Sequence, residues 1–533
     1  MTRVLFIGLD GATFSVLDHV TSDQPGVGVI MPFLRRLMSE GARAILRSTP
    51  NPLTPPAWVS IMTGRTPGHH GIFDFIRVEE SGSKVFFTLN DSRNVRTETI
   101  WSIASRQERS IVALNFPLTA PPRRIRGSMV PGFVPWKHLR RNSTPSDLYT
   151  RLSNLPGFDP KSLAWDFDRE KQAVEMLDEV DAESWVSYHL PREHQWYRIA
   201  QYLLSTDQPD FMAVLFDGVD KIQHQAWAFL DPNLISSDPN PWQLRMRELC
   251  LDYFRALDRY IEGLVNEAGP DAHVFMASDH GFTATTEVLR INSFLHQKGY
   301  LSWANREQSD GERRREASNF ANVDWDKTLA YCRTPSSNGI TIRVAPSPGE
   351  PGIAPSEYVS FRERLIADLE SLRDERTGER IIKDILKRED WFPGSAMDDA
   401  PDLTLVLRDH GFVSIRNLEP VVMERPFPAG THHPDGIFLA FGPGIRPGAN
   451  LQSRAIVDVA PALLYGLDLP IPEDFEGEVP EELFTADYLR AHPIKKGPAT
   501  RPVQDGETKA EEMGEDEKAK IIEQLKMLGY MEE

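Results

Sequence analysis

Six short runs of mostly β-branched and other apolar residues punctuate the chain: Val4–Leu9, Ile111–Phe116, Phe211–Phe216, His273–Ala277, Leu403–Leu407 and Ile437–Phe441. They are nearly continuous rather than alternating, as strands must be when both faces are covered. Helical patterns lie between them. The clearest places Tyr253, Leu257, Tyr260, Ile261, Leu264 and Val265 on one stripe and stops at Gly269-Pro270. Strands alternating with helices predict an α/β fold: a mostly parallel sheet with helices on both faces.

The chain has 533 residues, 40% of them hydrophobic and 26% charged, which is enough to bury a sizeable core. Two regions interrupt the rhythm. Residues 120–195 are rich in Pro, Arg, Trp and Asp. Residues 302–400 open on a charged run, Arg313–Glu316, and carry a Pro/Gly-rich stretch from Pro346 to Pro355. Both read as cap insertions into one core of residues 1–480. Residues 481–533 read as an acidic linker with a helical tail. In that tail, Ile521, Ile522, Leu525 and Leu528 recur at helical spacing, either as a frayed helix or as one that docks on this chain or a partner.

The net charge of −19 argues against general coating of nucleic acid, which needs a basic face. It also makes phosphate substrates awkward unless something strongly positive sits in the site. Cys250 and Cys332 are too few for a disulfide framework or a thiolate metal cluster, and read as small core residues. The N-terminal apolar run is too short for a signal peptide, and the sequence offers no long uncharged stretch to span a membrane. The expectation is a soluble, cytoplasmic protein.

Chemistry collects just after the strands. The first ends at Asp10, the third leads into Asp217-Gly218-Val219-Asp220-Lys221-Ile222-Gln223-His224, and the fourth ends at Ser278-Asp279-His280-Gly281. Ligands of open α/β sheets bind outside the carboxyl ends of strands. A single Asp there is commonly a turn residue, but three coincident instances point to one shared polar site. Asp220 and His224, four apart on a helix, share a face and can grip one cation or simply hydrogen-bond each other. Asp279 and His280 converge only if the chain turns, which Gly281 permits. A further turn, Gly430-Thr431-His432-His433-Pro434-Asp435-Gly436, offers two adjacent histidines, and spacing does not choose between them.

The stretch Thr49–Gly64 holds the remaining candidate. Thr54 is a good N-cap, Pro55 a good first helical residue and Gly64 a natural stop. Thr54 reads either as a plain cap or as a hydroxyl beside free amides and the positive helix end, ready for a phosphate. A bare threonine hydroxyl is a poor nucleophile at neutral pH, and metal coordination would activate it.

In these motifs the chain resembles the alkaline phosphatase superfamily, and within it the type I phosphodiesterase/nucleotide pyrophosphatase family, from Val4 to about Gly477. The matching residues are Pro50-Asn51-x-x-Thr54-Pro55, Thr63-Gly64-x-x-Pro67-x-x-His70-Gly71-Ile72, Asp220-x-x-x-His224, Ser278-Asp279-His280-Gly281 and Gly430-Thr431-His432-x-x-Asp435-Gly436, in the family's order. The resemblance implies an alkaline phosphatase-like fold and a site for two divalent ions, Zn²⁺ or, with the same ligands, Mn²⁺. It implies Asp10, Asp279 and His280 around one ion, Asp220, His224 and His432 around the other, and Thr54 as the bridging nucleophile. His432 rather than His433 falls on the family position, and His70 is expected only to support its loop. The chemistry implied is attack by Thr54 on a small-molecule phosphate ester, a covalent phospho-threonine, and its hydrolysis.

One departure matters. The family pattern has Asn where this chain has Phe75, which leaves a phosphomonoesterase or phosphomutase beside the diesterase, with a non-catalytic metal-binding protein as the remaining alternative. A sulfatase needs Cys or Ser in Cys/Ser-x-Pro-x-Arg, and here Trp58 falls where that Arg would stand.

Overall fold

In a computed structural model the chain is described over residues 2–81, 84–163, 179–304, 323–334 and 336–503. It divides into two compact units, one of residues 1–72, 91–283 and 432–503, the other of residues 73–90 and 284–431.

The first unit is built on a large sheet whose main strands are β1 (Val4–Leu9), β2 (Ala42–Arg47), β3 (Ile111–Leu114), β4 (Gly127–Val130), β5 (Phe211–Phe216), β6 (His273–Ala277) and β7 (Asp435–Phe441), in the order β2-β7-β6-β1-β5-β3-β4. The pairs from β6 across to β4 are all parallel. Every residue of β1, β5 and β6 is buried, which is why these strands read as unbroken apolar runs. One face, carrying Val4, Phe6, Phe211, Ala213, Leu215 and Phe275, shares a core with Trp58, Ile61, Ile103, Leu463 and Leu464. The other is covered by two long helices, α2 (Glu179–Asp207) and α4 (Pro241–Ala268). The sequence signals of α4 are realised: Asn240 and Gln243 form a capping box, and Gly269 follows the last turn.

The strand β7 runs antiparallel to β6 and β2. Its direction has a consequence for the site. The start of an antiparallel strand lies at the same edge as the ends of its neighbours: Asp435 pairs with Arg47, and Phe438 with Ala277. The loop entering β7 therefore joins the loops leaving β1, β5 and β6.

The second unit has its own core and a four-stranded antiparallel sheet of Ala330–Cys332, Gly339–Ile342, Leu403–Leu407 and Ile382–Lys387. The run Leu403–Leu407 thus belongs here and not in the parallel sheet. Continuous burial looks the same in either sheet, so its pattern does not show which one it joins. The expected insertion of residues 302–400 lies within this unit, which is wider than that span.

One further expectation changes. Residues 481–503, expected to begin the tail, are folded onto the first unit. Leu483 and Phe484 are buried in its core, Lys496-Gly497 pairs with Ile471-Pro472, and Tyr465 donates a hydrogen bond to the His492 carbonyl at 2.6 Å. The apolar residues hidden among the Glu and Asp of this segment outweigh its acidity. The helical spacing at Ile521–Leu528 lies outside the described residues. Both cysteines are buried and unpaired, and burial pushes each thiol up to about 12. Among the described residues no helix is long and apolar enough to cross a membrane.

Candidate active site

The helix α1 (Thr54–Thr63) leaves the loop after β2, and Gly64 ends it in the left-handed conformation, φ 64°. Thr54 is not its cap. Leu53 holds that position, and Thr54 is the first helical residue. The reason lies in the two prolines. Pro55 and Pro56 have no N–H to donate, and the Ala57 N–H is bonded to the Leu53 carbonyl at 3.1 Å, so no amide remains for a Thr54 cap. The same prolines remove most of the free amides expected at this helix start. The Thr54 hydroxyl instead lies 3.4 Å from His280 Nε2, and Thr54 is buried.

The helix α3 (Gly218–Leu230) follows β5 and presents Asp220 and His224 one turn apart, with His224 Nε2 3.4 Å from Asp220 Oδ1. His432, on the segment entering β7, completes a triad: its Nε2 lies 3.3 Å from Asp220 Oδ1 and 3.0 Å from His224 Nε2. Donors about 2.0 Å from a tetrahedral ion stand about 3.3 Å apart, so this spacing fits a cation. Asp10, Asp279 and His280 form a second group, with His280 Nε2 3.2 Å from Asp279 Oδ2 and 3.7 Å from Asp10 Oδ1. His280 Nε2 also comes within 4.0 Å of Asp220 Oδ1, so the groups adjoin.

The carboxylates are held by one oxygen each. Trp58 Nε1–H donates to Asp10 Oδ2 at 3.1 Å, and the Gly11 N–H donates to Asp279 Oδ1 at 3.1 Å. Their other oxygens, Asp10 Oδ1 and Asp279 Oδ2, and also Asp220 Oδ1, are buried and accept no hydrogen bond among the described residues. The imidazoles are aimed in the same way. His432 Nδ1 lies 2.7 Å from the Pro52 carbonyl and His280 Nδ1 3.1 Å from that of Gly281. Each Nδ1 therefore carries the proton and donates it, leaving Nε2 as a lone pair toward the shared space. Three orphaned carboxylate oxygens facing imidazole lone pairs fit divalent metal.

The electrostatics agree. Burial, then repulsion from Asp279 and Asp220, raises the Asp10 carboxyl well above its usual range. Burial and Asp220 do the same for Asp279. Burial lowers His280 and His432, keeping both imidazoles neutral.

The Asp279-His280 turn depends on Gly281 for a reason other than the expected backbone freedom. A Cβ on Gly281 would sit 1.9 Å from the Asp435 carbonyl oxygen, so glycine is needed for close approach to β7. Ser278 ties the same corner, accepting from the Ile437 N–H at 2.8 Å and donating to the Ala12 carbonyl at 2.9 Å. His433 lies outside the cluster, its Nδ1 accepting from the Asp435 N–H at 3.1 Å. His70 is fully buried, with Nε2 3.0 Å from Ser60 Oγ on α1 and Nδ1 accepting from the Ile72 N–H; burial pushes it down to about 3. Phe75 is half-buried in the second unit, its N–H donating to Asp74 Oδ1 at 2.6 Å.

A buried charged group next to the site carries no motif that sequence reading would detect. Arg192, on α2, is ion-paired with Asp217, which also accepts from Asn115 Nδ2 at 3.0 Å. Glu193 accepts from the Gly218 N–H, the first of α3, at 2.7 Å. Only the position of Asp217 at the end of β5 hints at this group.

A sequence profile of the type I phosphodiesterase / nucleotide pyrophosphatase family matches residues 4–435. Among curated proteins none matches significantly. Among solved structures, human ectonucleotide pyrophosphatase/phosphodiesterase 5 is similar with a TM-score of 0.53 at 14% identity, over 91% of this chain and 100% of that one. An inactive murine counterpart in complex with AMP gives 0.51 at 13%, over 88% and 96%. Phosphonoacetate hydrolase from Sinorhizobium meliloti 1021 in complex with phosphonoformate gives 0.52 at 16%, over 87% and 95%. At these identities the structural likenesses establish the α/β fold.

Proposed function

Because the chain belongs to the type I phosphodiesterase/nucleotide pyrophosphatase family, a family of metal-dependent phosphoric ester hydrolases, we propose that it is a two-metal hydrolase of small-molecule phosphodiesters acting through Thr54. One observation carries the reading: Thr54, Asp10, Asp220, His224, Asp279, His280 and His432 come from five separate segments and meet at one edge of the sheet with metal-donor spacing. Asp10, Asp279 and His280 would hold one ion and Asp220, His224 and His432 the other, supplying when bound the Lewis acidity that lowers the Thr54 pKa and offsets phosphate charge. Carboxylate and imidazole donors without thiolate suit Zn²⁺, and Mn²⁺ accepts them too.

Thr54 does the covalent work. The Thr54 hydroxyl gives up its proton as Oγ1 bonds to phosphorus, the bond to the leaving alcohol oxygen breaks, and that alkoxide takes up the proton, leaving as the alcohol. Water then adds to phosphorus, the Oγ1–P bond breaks, and the hydroxyl is restored. The rigid start of α1, stiffened by Pro55 and Pro56, keeps Oγ1 in place between the two steps. Burial of Thr54 keeps bulk water from the reacting oxygen.

Phe75 in place of the family's Asn favours a second reading, a phosphomonoesterase or phosphomutase on the same residues. The test is turnover of p-nitrophenyl phosphate against bis-(p-nitrophenyl) phosphate, before and after chelation and after return of Zn²⁺ or Mn²⁺. Faster diester cleavage that disappears on chelation and returns with metal supports the proposal. A preference for the monoester selects the second reading, and full activity after complete metal removal refutes both. The cytoplasmic location stays part of the proposal, and cell fractionation tests it.

A further inference from the structure

Trp58 stands four residues after Thr54 on α1 and so shares its face. It is fully buried, edge-on to Phe116 at a ring separation of 5.6 Å and to Phe6 at 6.5 Å. The strand β1 is shaped around it. A Cβ on Gly8 would lie 2.7 Å from Trp58 Cη2, so the absence of a side chain at Gly8 opens the slot the indole fills. From that slot Nε1–H reaches Asp10 Oδ2 at 3.1 Å. A buried indole N–H needs an acceptor. Here the acceptor is a carboxylate whose other oxygen, Oδ1, is left unpartnered toward His280.

We propose that Trp58 is a positioning residue of the metal site: by occupying Asp10 Oδ2 it presents Oδ1 alone to the ion of the Asp10–Asp279–His280 group, and it fixes that ion's ligand to the helix bearing Thr54. The inference rests on the metal site proposed above. A tryptophan serving only the core could be replaced by any ring of similar size. A tryptophan serving Asp10 cannot lose its N–H. The segment in which a sulfatase would carry an arginine thus has an indole donor directed at a metal ligand instead. Loss of an outer hydrogen bond to a metal ligand weakens metal binding by about 10–100-fold. The Asp220–His224–His432 group has no contact with Trp58 among those described, so its ion should be unaffected.

The test is a competition titration of zinc-loaded full-length protein against a chromophoric chelator, comparing wild type with Trp58→Phe. Replacement of Trp58 by benzothienylalanine, an isostere with sulfur in place of the N–H, gives the same comparison without a cavity should the phenylalanine variant fold poorly. The expected result is one ion released about 10–100-fold more readily, the other held as in wild type, and activity restored by excess zinc. Two ions bound with wild-type affinities, whatever the change in melting temperature, would leave Trp58 a core residue and overturn the inference. Failure of wild type itself to bind two ions would instead overturn the site proposed above.

Discussion

Replacing Asp74 with Asn should stabilise the protein above pH 6 and leave it unchanged in acid. Asp74 is 5% exposed, and its acceptor oxygens are met by the Phe75 N–H, the Ser336 hydroxyl at 3.1 Å and the Thr334 hydroxyl. These neutral donors do not offset the loss of hydration, and burial pushes the carboxyl from 3.8 up to about 6. A raised pKa means that the folded chain binds this proton more tightly than the unfolded chain. The associated stability is therefore complete below the unfolded value near 3.8 and is lost as pH rises through about 6. At 1.36 kcal/mol per pH unit, the gap corresponds to about 3 kcal/mol. Asn keeps the shape and has no charge to bury. Urea unfolding of wild type and Asp74→Asn from pH 3.5 to 8 measures the difference, in which every other titrating group cancels. The difference should grow from near zero in acid to about 3 kcal/mol above pH 7 in favour of the variant. A difference that stays flat across this range would refute the argument.

Arg192→Met strands the Asp217 carboxylate in the interior and should cost about 3–5 kcal/mol in denaturant unfolding. Adding Asp217→Asn to it should return part of that loss. Gly281→Ala drives a Cβ against the Asp435 carbonyl. It should lower stability by about 1–3 kcal/mol, as overpacking does, and weaken metal retention on equilibrium dialysis more than a surface Gly→Ala change does. Chelation should lower the melting temperature, and zinc returned at 100 times its dissociation constant should restore about 2.7 kcal/mol per site. Thermal melts across a zinc titration give that value.

The fold class is legible in the sequence, and so are most of the residues that gather at the candidate site. Asp10, Asp220 and Asp279 are legible because each follows an apolar run, and strand ends of an open sheet share an edge. His432 is legible only through the family motif, because its place depends on β7 running antiparallel, and no local pattern records strand direction. Thr54 is found, but the N-cap place read for it is not the one it takes: Leu53 is the cap, and the missing N–H groups of Pro55 and Pro56 already exclude Thr54 from that role. Trp58, Arg192 and Glu193 stay hidden for another reason. A buried indole or ion pair beside a site has the same local sequence as one in any core, and its role comes from a partner tens or hundreds of residues away. Leu403–Leu407 shows the same limit for the fold, since an apolar, mostly buried run marks a strand without naming its sheet.

The central claim, a hydroxyl nucleophile served by a metal site, is tested most directly by Thr54→Ala. Zinc-loaded wild type and variant are assayed on bis-(p-nitrophenyl) phosphate, and the metal content of the same samples is measured. Loss of turnover with the metal content unchanged is the predicted result. Wild-type turnover by the metal-loaded variant would contradict the claim.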